Sequence, residues 1–181
     1  MSWNALRRLG VFVAAMATWN PAQAAVLPGN LMLSVSPTYS AFMKVIGGSA
    51  DIYQGPTVGL RLSQTLESTQ LFVGARFGKL ETNYSEIDDP VFNDMDFYAG
   101  FRSYVGGTHR AFMEFSGNAI QSSGIAQPGM SFGGSLGGGL LFMLGSHIGF
   151  GFTTLYTFAS GPYQGMQRRQ LNQSVDLSIL F

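Results

Sequence analysis

The chain contains no cysteine, which removes disulfides, thiolate nucleophiles and cysteine-based metal sites together. Charge is scarce as well. Only 11% of the 181 residues are charged, ten basic against ten acidic, and no run of Lys or Arg forms a stripe, so the electrostatic footprint of a nucleic-acid-binding protein is absent. The only histidines are His109 and His147, both in short turn-like segments, and no G-x-S-x-G elbow accompanies them. After residue 24, polar residues and glycines interrupt every apolar run, which excludes a helix of the roughly 20 apolar residues that spans a bilayer.

What is present begins with Arg7 and Arg8, followed by the apolar stretch LGVFVAAMATW and by NPAQA, where Ala22 and Ala24 are small residues at A-x-A spacing. This reads as a secretory signal peptide over 1–24, cut after Ala24, and leaves 25–181 as one exported domain.

In that domain apolar residues recur at every second position, the period of a strand with two distinct faces. The alternation predicts eight strands, over 31–42, 55–64, 70–80, 94–105, 110–121, 130–143, 147–158 and 171–181. The connections 43–54, 81–93, 122–129 and 159–170 read as long polar loops, whereas QTLEST, GGTH and GSH are short. Short turns at one end and long loops at the other, with strands of about ten residues, predict an all-β, eight-stranded antiparallel up-and-down transmembrane β-barrel. A soluble sandwich would also alternate, but it has no reason to sort its loops by end. Tyr39, Phe42, Tyr53, Tyr84, Phe92, Tyr104, Phe142, Tyr156, Phe158 and Tyr163 lie near predicted strand ends, where interfacial aromatic girdles belong. Only the facing of GGSLGGGLL in the sixth strand is undetermined, since it offers little parity.

An eight-stranded barrel is filled by side chains, and its polar face here carries Arg61, Arg76, Asp96, Arg102, Glu114 and Asp176, with glycines between them that make room. Buried charges must be paired. Hairpin geometry brings Arg76 diagonal to Asp96 and Arg102 near Glu114, as an interior salt-bridge network that plugs the lumen or as a narrow polar path that rearranges. The acidic stretch from Glu81 through Glu86, Asp88 and Asp89 to Asp94 lacks EF-hand spacing and reads as a solvated loop, so no metal or cofactor is expected.

Signal peptide, eight strands, sorted loops and the closing VDLSILF together resemble the small outer-membrane β-barrels of Gram-negative bacteria: the OmpA transmembrane domain, OmpX/Ail and OmpW types. The resemblance spans the exported domain. It implies an outer-membrane location, contact with membrane lipid and lipopolysaccharide, and recognition by the barrel-assembly machinery through Val175, Leu177, Ile179 and Phe181. In this setting Arg168 and Arg169, read as part of the fourth long loop, would suit lipopolysaccharide phosphates, which guanidinium groups bind in bidentate fashion. The expected role is structural or surface-interacting, with an unidentified loop ligand. The alternative is porin-like or OmpW-like passage of small or hydrophobic solutes. A lipid A-modifying enzyme is disfavoured, because by this topology the turns holding His109 and His147 face the periplasm.

Overall fold

The computed structural model describes residues 31–46, 49–66, 68–82, 91–105, 111–123, 129–161 and 167–181. The signal-peptide reading, His109, Tyr84, Tyr163 and the acidic residues Glu86, Asp88 and Asp89 lie outside the described residues, as does the side chain of Phe92.

Eight strands, β1 (Leu31–Ile46), β2 (Ser49–Leu66), β3 (Thr69–Glu81), β4 (Val91–Val105), β5 (Ala111–Ser123), β6 (Gly129–Leu144), β7 (Ile148–Ser160) and β8 (Gln167–Leu180), close into one antiparallel barrel in chain order. Closure is made by β1 against β8, from Met32 opposite Leu180 to Val45 opposite Gln167, and the Phe181 amide donates to the Leu31 carbonyl at 2.9 Å. No sheet edge remains between these two strands, which answers the main cost of placing strands in hydrocarbon, an unpaired backbone group. Pro37 and Pro56, which bring no N–H to the ladder, coincide with gaps in the β1–β8 and β2–β3 pairings.

The strand positions follow the alternation, but their ends do not. The expected loop over 43–54 is instead a hairpin extension, with β1 running to Ile46 and β2 starting at Ser49. Backbone pairing there does not depend on apolar side chains, and the stacked rings of Phe42 and Tyr53, 5.2 Å apart inside the barrel, reward it. The fourth loop is shortened in the same way, since β8 begins at Gln167. The short turn 145–147 between β6 and β7 places Gly145 at φ 81°, where a side chain would be strained.

The outer face is apolar, with Leu60, Val73, Phe97, Phe132, Leu177 and Ile179 all exposed. On β8 it extends from Leu171 to Phe181, which at ~3.3 Å per residue and a strand tilt of about 40° makes a belt on the order of 25 Å tall. That matches the apolar band of a transmembrane barrel. Lys79, Glu81, Asn93, Gln121 and Arg169, all outward-facing and exposed, mark its polar boundary at the loop end. The girdle expectation holds for Tyr39 and Phe158, which are exposed on the outer face, but Phe42, Tyr53 and Tyr104 are buried inside. Parity decides this: Phe42 shares the face of Ser34 and Ser36, and Tyr104 that of Arg102. On β6 the pairing resolves the ambiguous strand, with Ser131, Ser135 and Leu141 inward and Met130, Phe132 and Leu136 outward.

Candidate functional site: the lumen

Among the described residues, the inward face carries four guanidinium groups, Arg61, Arg76, Arg102 and Arg168, and four carboxylates, Asp94, Asp96, Glu114 and Asp176, all buried. At the centre, Arg61 of β2 spans the lumen, donating from Nη1 to Glu114 Oε2 and from Nη2 to Asp176 Oδ2, both at 3.0 Å. Arg102 donates to the same Glu114 oxygen from Nε at 3.0 Å and from Nη2 at 2.6 Å, and its Nη2 lies 3.5 Å from Asp176. Asp176 also accepts from Ser36 Oγ at 2.6 Å and Thr153 Oγ1 at 2.7 Å. Two positive and two negative groups thus cancel, Arg102 with Glu114 between neighbouring strands and Arg61 with Glu114 and Asp176 between strands that are not neighbours, as a low-dielectric interior demands.

A second group lies nearer the loops. Arg76 donates to Asp96 at 3.3 Å, and Asn118 Nδ2 donates to both Asp96 oxygens at 2.9 and 3.1 Å. Tyr98 stands between the two groups, its ring 5.4 Å from the Arg76 guanidinium. It fits because β3 has Gly74 beside it: a Cβ there would lie 2.5 Å from the Tyr98 ring. A third group pairs Arg168 with Asp94 through Nη1 and Nη2, with Ser122 and Gln170 completing its bonds and the Phe42 ring 4.2 Å away.

Apolar residues flank the charges at both ends. Met32, Tyr104, Phe112, Leu141 and Leu180 pack together where the chain termini of β1 and β8 meet, and Phe42, Tyr53 and Leu80 pack at the loop end. Arg102 lies 3.6 Å over the Phe112 ring, so the central charges rest directly on the first of these layers.

The expected residues are therefore together, with refinements. Arg76 and Asp96 are directly opposite rather than diagonal, as are Arg102 and Glu114. Arg168 is the correction: it is not a loop residue facing lipid phosphates but a buried lumen residue on β8, because it shares parity with Asp176, whereas Arg169 faces outward. Asp94, taken as part of an acidic loop, is its partner, and it shares parity with Asp96. Parity carried both signals, but the loop drawn to 170 hid Arg168, and Asp94, the first residue of the predicted strand, was grouped by its charge with the acidic loop before it. His147 sits in the exposed turn 145–147 with Nδ1 2.6 Å from Ser146 Oγ, and among the described residues no carboxylate orients its ring. Val175, Leu177, Ile179 and Phe181 form the outward row of β8.

No family model matches the chain, and no curated protein matches it in sequence. Among solved structures, Neisserial surface protein A (NspA) superposes with a TM-score of 0.62 at 8% identity, over 82% of this chain and 97% of that one. The chain has the fold of a small outer-membrane β-barrel. Ail, the attachment invasion locus protein of Yersinia pestis, superposes with a TM-score of 0.51 at 12% identity, over 84% of this chain and 99% of the other.

Proposed function

We propose that the protein is an integral outer-membrane β-barrel of a Gram-negative envelope, with a closed lumen and its loop end outward, in a structural or surface-interaction role. The observation that carries this reading is the pairing of Arg61 and Arg102 with Glu114 and Asp176 across the lumen, between two apolar layers and inside an apolar belt. A barrel of eight strands has room for side chains but not for a water column as well. The outward row Val175, Leu177, Ile179 and Phe181 supports recognition by the assembly machinery, and Arg169 at the belt edge supports contact with lipopolysaccharide. Single-channel recording of the purified protein in planar bilayers tests the closed lumen: silence is expected, and discrete, reproducible openings would favour passage of small solutes instead. Heat-modifiable gel mobility of protein extracted from outer membranes tests the location.

A further inference from the structure

Outside the barrel, one register row begins at Arg169 and passes through Phe158, Gly134, Gly117 and Ala99 to Val73. Because the strands tilt, the row slopes from the polar edge at Arg169 to the middle of the belt. Small residues along it leave a trough, and a Cβ on Gly117 would meet nothing within 4 Å. The neighbouring rows form its walls: Tyr156, Leu136, Phe115 and Phe101 on one side, and Phe132 and Phe97 on the other. Three adjoining open concavities, of about 320, 560 and 570 Å³, follow this course, Phe158, Phe132 and Gly117 each lining two of them.

At the mouth stands an unbalanced charge. Among the described residues, the outward-facing charged side chains are Lys79 and Glu81, which pair at 3.0 Å, and Arg169, which donates to the Gln167 amide oxygen at 3.5 Å. From Phe158 to Ala99 the trough crosses three strand spacings, about 14 Å at ~4.8 Å each, and at a strand tilt of about 40° it descends on the order of 9 Å into the ~30 Å hydrocarbon core. A cation at the polar edge above an apolar trough that descends into the leaflet is complementary to an amphiphile with an anionic head.

We propose that this trough seats one acyl chain of a phosphorylated outer-leaflet glycolipid of the lipid A type, with its phosphate on Arg169. The assignment rests on the outer-membrane reading with the loop end outward, since that orientation puts Arg169 in the outer leaflet. Phosphate binding by a guanidinium is charge-assisted, and the acyl chain exchanges lipid contacts for the phenyl rings that line the trough.

The test is native mass spectrometry of the full-length protein extracted from outer membranes, reading retained lipid A after exchange into detergent, with phosphatidylglycerol as the competing probe. One retained lipid A is expected. Arg169→Gln should lower retention about tenfold, the loss of one charge-assisted contact. Gly117→Phe should abolish it by filling the trough, and Lys79→Gln should leave it unchanged. Equal retention in all variants, or phosphatidylglycerol retained as tightly as lipid A, overturns the proposal. Each variant is checked for heat-modifiable mobility. Protein that is heat-modifiable and located in the outer membrane but indifferent to Arg169→Gln sinks the lipid seat alone, whereas wild-type protein absent from the outer membrane sinks the reading beneath it.

Discussion

Asp176 accepts from Arg61 at 3.0 Å, Ser36 at 2.6 Å, Thr153 at 2.7 Å and Ser174 at 3.3 Å, so its removal leaves a buried guanidinium with one carboxylate, Glu114, and deprives three hydroxyls of an acceptor at once. Asp176→Ala should cost about 3–5 kcal/mol, the usual penalty for breaking a buried pair from one side, and Asp176→Asn less because an acceptor oxygen survives. Urea titration of the folded fraction by gel mobility in lipid vesicles measures both. Gly74→Ala should cost about 1–3 kcal/mol by pushing on the Tyr98 ring, and Gly74→Ala with Tyr98→Leu should recover part of it. Which charges meet was only half legible. Arg76–Asp96 and Arg102–Glu114 join strands linked by a hairpin, so parity and turn length reach them. The bonds from Arg61 to Glu114 and Asp176 join strands that are not adjacent, and no local pattern records a distance across a lumen.

The strands obey a rule of faces. Leu60 faces outward in the body of the belt, and Gln121 faces outward at its polar edge. Leu60→Arg should destabilise the barrel by about 2–4 kcal/mol, whereas Gln121→Arg should cost about 0–1 kcal/mol, and the same urea titration separates them. The reverse ordering would place the belt elsewhere on the wall. All eight strands were readable from alternation, even through the glycines, because side chains alternate between faces whatever their size. Strand ends were not. Polar and turn-forming residues over 43–54 suggested a loop, yet they pair to within two residues of each other, since a ladder needs backbone groups and the protein spends its polar side chains inside. The same misreading moved Arg168 out of the lumen in which it belongs.

Closure is the property of the whole molecule, and the seam between β1 and β8 exposes it to a direct test. Ser34 and Ser178 are register partners with their hydroxyls 2.8 Å apart, in a chain that contains no other cysteine to confuse the outcome. Ser34→Cys combined with Ser178→Cys should form a disulfide on oxidation, and the boiled protein should then run as a compact species until reduced; unchanged mobility would argue against the seam. Followed once around the wall, the row from Arg169 returns to β8 at Ile179, and this stagger sets the strand tilt. By itself the sequence determined the strands, their two faces and the apolar exterior, because those depend on a two-residue period that every local segment carries. Only the tertiary structure decided which inward charges pair across the lumen, that Arg168 is among them, and that Arg169 heads a sloping trough. Sliding a strand by two residues leaves both faces intact and changes every partner, so parity is blind to the register on which all three depend.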